Sequence, residues 1–286
     1  MSHPLLERLA SADPAKRLAA CREAVADPAA ALLAPALGRA LGDPEKTVAR
    51  AASDSLVAIG RATGGIDDVL REALGAEDEV RRRGAALTAA RVAPPGPRLL
   101  PALVDALAAD DGDVRWASAR VLVDMARLHG EVVPLLVGLA HTDARPGVRR
   151  MAVHSLRKLA GAGAGIDEAL LAAAGDDDAA VRRAALTALA GLLEPSDAVF
   201  ASLTAILGGD ADDASRRLAA LALGELGERR GGLPAPAARA LAGAVRTDAD
   251  DDLRRAALRA HERLGNARPA ADADGLGEAR SAEDCR

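Results

Sequence analysis

The chain contains 286 residues and carries a formal charge of −5, from 37 basic and 42 acidic residues, so it has no general attraction for nucleic acid or membranes. Half of the residues are hydrophobic, but the only aromatic residues are Trp116 and Phe200, and there is no tyrosine. This composition favours helices and argues against an all-β domain, a sugar-binding cleft and a stacking platform for single-stranded nucleic acid.

The first residues and the two cysteines bear on the compartment. Residues 1–8 lack the basic stretch and the long apolar stretch of a signal peptide. No apolar run approaches the ~18–20 residues that a membrane helix needs. Cys21 and Cys285 form no disulfide framework, which favours a reducing compartment. We therefore expect a soluble cytoplasmic protein that does not associate with membranes.

A repeat of about 33 residues runs through almost the whole chain. Its clearest copy is Val181-Arg-Arg-Ala-Ala-Leu-Thr-Ala-Leu189. Similar segments begin at Ala15, Val48, Val80, Val114, Val148, Ser215 and Leu253. The copy at Val80 is one residue out of register, because Gly84 stands as an extra residue. Self-similarity at such a period indicates stacked supersecondary units.

Each repeat contains two predicted helices. The second helix, B, has apolar residues at its start and at offsets 3, 4, 7, 8 and often 11, which form one stripe of a helix. An acidic turn precedes it, and acidic residues cap the free N–H groups of a helix start. The first helix, A, is shorter and apolar, as in 32–41, 99–107 and 132–139. One pair cannot bury both of its faces, so the pairs are expected to stack as a solenoid.

The Pro-x-Leu-x-x-x-Leu helix, the acidic turn and the Val-Arg-Arg-x-Ala-x-x-x-Leu helix together resemble HEAT repeats, over about residues 2–265. The short repeat is similar to the HEAT-like subtype named after phycobilisome lyases. The resemblance implies an all-α fold, an α-α superhelix (a right-handed solenoid) of about eight two-helix repeats. We expect residues 1–265 to form a single solenoid and residues 266–286 to form a flexible polar tail.

Arginine recurs one residue after the start of helix B. The main positions are Arg115, Arg149, Arg182, Arg216 and Arg254, with Lys16 and Arg81 at the same offset. In HEAT repeats the corresponding arginine typically hydrogen-bonds the aspartate of a neighbouring turn. The resemblance therefore implies a structural arginine ladder that orients one repeat on the next.

A second row lies one residue further along, which turns the side chain by about 100° around the helix. In this fold the B helices line the concave face, so offsets 2, 6 and 9 are expected to point into a groove. The predicted groove residues are Trp116, Arg120, Arg150, His154, Arg157 and Arg183. Tryptophan and arginine are the residue types most enriched at binding hot spots.

The same pattern is compatible with simpler interpretations. The arginine row can be a solvated face that neighbouring aspartates neutralise. Trp116 can be a core residue, or it can cover the apolar stem of an arginine. His154 taken alone is typical of a surface histidine. Phe200, on helix A of the seventh repeat, is predicted to lie in the core.

We find no constellation typical of an enzyme. None of the five histidines has a second histidine at the i, i+4 spacing of a helical metal site. The dipeptide His261-Glu262 is similar to a motif of di-iron HEAT-repeat hydroxylases, but that family needs several such pairs. We therefore expect no metal, no cofactor and no catalytic activity.

The favoured hypothesis is a non-catalytic scaffold that binds an acidic or phosphorylated segment of another protein in the Arg-rich groove. One alternative is a nucleic-acid-binding protein resembling HEAT-like DNA glycosylases, which the negative charge and the single tryptophan disfavour. Another is an enzyme subunit resembling phycobilin lyases. We expect a monomer, and the sequence does not identify the partner.

Overall fold

The computed structural model describes residues 3–161, 165–210, 212–248 and 250–266. The predicted tail, 266–286, lies outside the described residues apart from residue 266, where the last helix ends. By its internal contacts the chain divides into two compact units, Met1–Ala169 and Leu170–Arg286. A single continuous solenoid over residues 1–265 remains a prediction.

The first unit is built from ten α-helices and contains the start of an eleventh within its described residues. They are α1 (Pro4–Leu9), α2 (Pro14–Glu23), α3 (Ala30–Ala40), α4 (Lys46–Thr63), α5 (Asp67–Leu74), α6 (Glu79–Val92), α7 (Leu100–Ala106, preceded by a 3₁₀ turn at Pro97–Leu99), α8 (Gly112–Ala126), α9 (Val132–Thr142) and α10 (Pro146–Lys158). Helix α11 (Ile166–Ala173) contains the boundary between the units.

The second unit continues the same alternation. Its described helices are α12 (Ala179–Leu189), α13 (Asp197–Gly209), α14 (Asp213–Arg230), α15 (Ala235–Thr247) and α16 (Asp251–Asn266). Odd-numbered helices are A helices and even-numbered helices are B helices, which gives eight pairs among the described residues. Each predicted B segment begins within two residues of an observed helix start. The predicted all-α fold of two-helix repeats is confirmed.

Aspartates start most of the B helices. Five of these helices have an N-cap aspartate whose carboxylate accepts a backbone N–H of the first turn: Asp13, Asp78, Asp111, Asp178 and Asp212. Such a carboxylate satisfies a donor that the helix itself leaves free. The N-caps of α4 and α10 are Glu45 and Arg145, and there the carboxylate two residues earlier accepts the N-cap N–H instead.

The core lies between stacked helices and consists largely of alanine and leucine. In the first unit α2, α4, α6, α8 and α10 contact one another in succession, and in the second unit α12, α14 and α16 do so. Small alanine side chains allow close approach of the helices, and leucines fill the remaining space. Phe200 is 1% exposed, so its predicted core position in the second unit is confirmed.

The third repeat differs from its prediction in register. Val181 lies three residues after the N-cap of α12 and is buried, whereas Val80 lies two residues after the N-cap Asp78 and is 52% exposed. Gly84 is therefore no insertion. It occupies a regular helical position where α6 approaches α3 closely, since a Cβ there would lie 2.9 Å from the carbonyl oxygen of Leu41.

Among the described residues, none of the helices combines the length and the apolar character needed to cross a membrane.

Candidate functional site

The arginine ladder is clearest at Arg182, four residues after the N-cap of α12. Its Nη1 donates to the carbonyl oxygens of Asp176 and Asp177, at 2.8 and 3.0 Å, in its own turn. Its Nε and Nη2 donate to the carboxylate of Asp210, at 2.8 and 3.0 Å, in the next turn. The side chains of Arg182 and Asp210 are only 16% and 8% exposed. The side chain of Arg182 is thus hydrogen-bonded to two consecutive repeats.

The other predicted ladder residues make parts of this pattern. Arg216 donates to Asp248 of the next turn and, at 3.2 Å, to the carbonyl of Leu207. Arg115 and Arg149 donate to carbonyl oxygens of the turn before their own helices. Arg254 donates to the carbonyl of Asp248 and pairs with Asp251 on its own helix. Orientation of the repeats by these arginines is our interpretation of their contacts.

In the first and third repeats the ladder position is taken by Arg17 and Arg82, one residue later than the sequence pattern indicates. Arg17 donates to Asp43 of the next turn and to the carbonyls of Ser11 and Ala12. Arg82 donates to the carbonyls of Ala76 and Glu77. Both residues lie four positions after their N-caps, Asp13 and Asp78, so the N-cap, and not the hydrophobic start, sets the register.

The predicted groove residues of the fourth and fifth repeats lie together in the first unit. Trp116 is 53% exposed, which does not agree with a core position. Its indole ring packs against the imidazole of His154 from the neighbouring helix α10, with ring centroids 4.3 Å apart and an angle of 53° between the planes. Arg120 lies one turn after Trp116 on α8, and Arg150 and Arg157 lie one turn either side of His154 on α10. We call these five residues the arginine patch.

The patch is cationic and has no carboxylate of its own. Within residues 3–161, and in the rest of the described chain, the guanidinium groups of Arg120, Arg150 and Arg157 have neither an ion pair nor a hydrogen bond. Burial, followed by the charges of Arg157, Arg150 and Lys158, holds the pKa of His154 below its ordinary value. At neutral pH the imidazole is therefore uncharged, and the positive charge comes from the arginines.

Arginines at the position of Arg150 in other repeats are neutralised. Five residues after the N-cap, Arg183 donates to Asp212 at 2.9 Å and Arg217 donates to Asp250 at 3.0 Å, both in the second unit. In the first unit, Arg50 donates to Asp113. The interpretation of the row as a face neutralised by aspartates therefore describes these positions, Arg183 included, and does not describe the arginine patch.

In the second unit the acidic partner lies at the start of the next repeat, and at Trp116 the sequence itself shows the loss of this pairing. Arg183 and Arg217 each bind the acidic residue at the N-cap of the next repeat, or at its equivalent. The corresponding N-cap after Trp116 is Arg145, whose guanidinium pairs with Asp143. The fourth repeat thus has Trp116 where other repeats have an arginine, and the fifth repeat has the basic residue Arg145 where other repeats have an acidic N-cap.

The first unit is curved so that the N-terminal ends of its B helices converge. Lys46 on α4 pairs with Asp111 at 2.6 Å and with Asp113 at 3.0 Å, and Arg50 pairs with Asp113 at 2.5 Å. These contacts join α4 to α8, and α6 lies between the two helices. Packed helices lie about 8–10 Å apart, so the axes of α4 and α8 in a straight stack would be separated by roughly twice that distance. The face that carries Lys46 and Arg50 is therefore an inner surface of this unit.

The described residues hold no cluster of three or more His, Cys, Asp or Glu side chains that could bind a metal ion. Cys21 is buried, and burial together with the charge of Asp43 raises the pKa of its thiol to about 11, so it is protonated and a poor nucleophile. Cys285 lies outside the described residues.

Comparisons with known proteins agree with this architecture. The family model of HEAT repeats matches residues 100–165 and 166–262, more than half of the chain. No curated protein shows a significant match in sequence. Solved structures give likeness in fold alone.

The crystal structure of YibA from Escherichia coli is 15% identical, with a TM-score of 0.54 over 89% of this chain and 87% of that one. Importin beta is 16% identical, with a TM-score of 0.58 over 92% of this chain and 40% of that one. A chain in a homology model of the full-length AP-3 complex is 17% identical, with a TM-score of 0.56 over 91% of this chain and 50% of that one. The repeats, their stacking and the matched family model together show that this chain belongs to the HEAT-repeat family.

Proposed function

We propose that this protein is a non-catalytic scaffold that binds an acidic segment of another protein at the arginine patch. The observation that carries the proposal is the contrast between Arg120, Arg150 and Arg157, which have no acidic partner among the described residues, and the paired arginines Arg50 and Arg183. A partner carboxylate can bind the first three without breaking an existing ion pair.

The chemistry of the patch suits such a segment. Guanidinium groups bind carboxylates and phosphates through charge-assisted, often bidentate hydrogen bonds. The exposed face of Trp116 offers an apolar contact, and its tilted packing against His154 reduces the rotational freedom that the indole would lose on binding. A rigid aromatic residue surrounded by arginines is typical of the centre of a protein interface.

The fold supports the same class of function. A helical-repeat unit presents an extended surface, and such surfaces commonly serve binding. One of the proteins with a similar fold is part of the AP-3 complex. The repeat period near 33 residues also leads us to propose the short HEAT-like subtype named after phycobilisome lyases, as a statement about repeat length and not about activity.

The single tryptophan and the absence of tyrosine provide a direct test, since intrinsic fluorescence reports on Trp116 alone. The protein is titrated at low ionic strength with a deca-glutamate peptide. Two variants of equal net charge are compared with wild type: Arg150→Ala with Arg157→Ala in the patch, and Arg39→Ala with Arg98→Ala at exposed positions outside it.

We expect the peptide to change the Trp116 emission in wild type and in the control variant, and to bind about tenfold more weakly to the patch variant. Equal affinity for all three proteins would contradict the proposal. A duplex DNA oligonucleotide is titrated in parallel. If it binds through the patch more tightly than the peptide does, with a steep salt dependence, the nucleic-acid alternative replaces the proposal.

A further inference from the structure

A concave feature lies on the inner surface of the first unit. It is an open pocket of about 570 Å³ between α2 and α4. Its lining includes Arg22, Val25, Arg50, Ala51, Asp54 and Ala58. We call it the N-terminal pocket. Its volume is in the range of sites that hold a small ligand or a side chain of a partner.

The pocket combines an apolar floor with one uncommitted positive charge. Val25 is 44% exposed, although valine is usually buried. The carboxylate of Asp54 is held by Arg91 at 2.8 Å, and Arg50 is paired with Asp113. Arg22, in contrast, has no ion pair among the described residues. The pocket therefore suits an aliphatic side chain that is followed or preceded by a carboxylate.

The pocket and the arginine patch lie on the same face of the B helices. Arg22 lies nine residues after the N-cap of α2, as Arg120 does after the N-cap of α8. Arg50 lies five residues after the N-cap of α4, as Trp116 does on α8. The pocket is thus formed by residues of the first and second repeats, and the arginine patch by residues at corresponding helix positions in the fourth and fifth repeats.

Arg50 connects the two sites directly. It lines the pocket, and its Nη2 donates at 2.5 Å to Asp113, which lies one helical turn before Trp116. From side-chain reach and one helical turn, the Cα atoms of Arg50 and Trp116 lie within about 18 Å of each other. Five to six extended residues, at roughly 3.3 Å each, cover that distance.

We propose that the N-terminal pocket binds an aliphatic side chain of the same acidic segment that binds the arginine patch. The aliphatic residue lies about five to six residues from the acidic cluster of that segment, measured along extended chain. This inference rests on the proposed function and adds the pocket, the aliphatic anchor and their spacing to it. The acidic cluster provides charge, and the anchor fixes the register and direction of the segment.

The test uses the full chain and a phage-displayed random library of peptides of about twelve residues, long enough to reach both sites at roughly 3.3 Å per residue. Selections are made on wild type, on the patch variant Arg150→Ala with Arg157→Ala, and on two pocket variants. Ala58→Phe fills the pocket, and Arg22→Ala removes a charge that has no ion pair or side-chain hydrogen bond among the described residues. Ala31→Phe, at an exposed position of α3, is the matched control. Circular dichroism verifies that each variant is folded.

We expect peptides selected on wild type and on Ala31→Phe to contain an acidic cluster and an aliphatic residue at the stated spacing. Replacing that aliphatic residue by serine in a synthetic peptide should weaken binding to wild type about tenfold. The same replacement in the peptide should have little effect on binding to the Ala58→Phe variant. If Ala58→Phe is unfolded, the selection on Arg22→Ala provides the test. We expect the peptides selected on that variant to lack the acidic residue next to the aliphatic anchor.

Two results overturn the inference separately from the proposed function. One result is the selection of acidic clusters without a preferred aliphatic residue, or with the same aliphatic preference on wild type and on the pocket variants. It would reject binding at the pocket and leave the proposed binding at the arginine patch unaffected. No enrichment of acidic clusters, or equal enrichment on the patch variant, would reject the proposed function and the inference with it.

Discussion

Arg17 and Arg182 make the same set of hydrogen bonds in two different repeats. In each, Nη1 donates to the carbonyls six and five residues earlier, and Nε and Nη2 donate to one aspartate, Asp43 or Asp210, of the following repeat. That aspartate also accepts the N–H two residues after it. A single acidic side chain thus joins a turn, the start of a helix and the preceding repeat.

Replacement of Arg182 by alanine should destabilise the second unit. The change leaves Asp210, whose side chain is 8% exposed, without its cationic partner, and we expect a loss of roughly 2–4 kcal/mol in the free energy of unfolding. Urea denaturation followed by circular dichroism measures the change. Arg157→Ala, which removes an arginine that has no ion pair within the described part of the chain, should alter stability by less than about 0.5 kcal/mol. Equal effects of the two changes would contradict the ladder.

Replacement of Trp116 by alanine should separate binding from stability. Because the side chain is 53% exposed, we expect the free energy of unfolding to change by less than about 1 kcal/mol. Binding of the acidic peptide, measured by anisotropy of a label on the peptide, should weaken about tenfold or more. A loss of stability of the size typical of a core tryptophan, about 3–5 kcal/mol, would show that the indole acts in packing instead.

Stability should depend on pH through His154. Its pKa is lowered in the folded chain, first by burial and then by Arg157, Arg150 and Lys158, whereas in the unfolded chain it is near its ordinary value of 6.5. The unfolded state therefore binds more protons, and the contribution of the neutral imidazole is complete above pH 6.5 and is lost as the pH falls toward the lowered value.

Urea denaturation of wild type and of His154→Gln between pH 7.5 and 5.5 isolates this contribution from those of the other histidines. We expect the stability of wild type to fall more steeply than that of the variant as the pH is lowered through about 6.5. Parallel curves for the two proteins would contradict the assignment.

Ser118 offers a stabilising substitution. Its hydroxyl is buried and has no hydrogen-bond partner among the described residues, whereas the corresponding positions of the other B helices, such as Ala152 and Ala185, carry alanine. Ser118→Ala removes an unsatisfied polar group, and we expect a gain of about 1 kcal/mol in thermal or urea unfolding. Ser55→Ala is the contrasting control, because the Ser55 hydroxyl donates to the carbonyl of Cys21 at 2.7 Å and its removal should destabilise the chain.

Gly84 should resist replacement by alanine, although alanine favours helices. A Cβ at Gly84 would lie 2.9 Å from the carbonyl oxygen of Leu41 and 3.2 Å from its Cβ, so α6 would have to move away from backbone atoms. We expect Gly84→Ala to lower the melting temperature. Gly138→Ala on α9, where a Cβ meets nothing within 4 Å, should raise it. A rise in both variants would show that the packing of α6 is looser than described.

The repeat period and the helix starts could be read from the sequence, because every B helix carries an apolar stripe and each of the eight begins with a carboxylate at or within two residues of its N-cap. The register of individual repeats was harder to predict. The residues Val80 and Ala15 resemble the apolar start of α12, but both are exposed, and only the N-caps Asp78 and Asp13 align these repeats with the others.

The site could be predicted only in part. Helical spacing brought Trp116, Arg120, Arg150, His154 and Arg157 together as one surface, since positions three or four residues apart share a helix face. The sequence did not reveal which arginines are neutralised, because the partner depends on how the repeats pack: Arg50 pairs with Asp113, two repeats further along the chain, and not with Asp78, the N-cap of the next repeat. The links from α4 to α8 and the N-terminal pocket depend on curvature, which results from many small packing angles and leaves no local pattern in the sequence.

Lys46 and Arg50 reach over the third repeat to Asp111 and Asp113, and this affects how the first unit can open. In a solenoid whose repeats contact only their nearest neighbours, local unfolding can begin at any repeat and spread from there. Here the pairs that bridge its neighbours oppose loosening of the third repeat. The second to fourth repeats should therefore exchange their amide hydrogens as one cooperative block, whose protection decreases as salt screens the bridging charges.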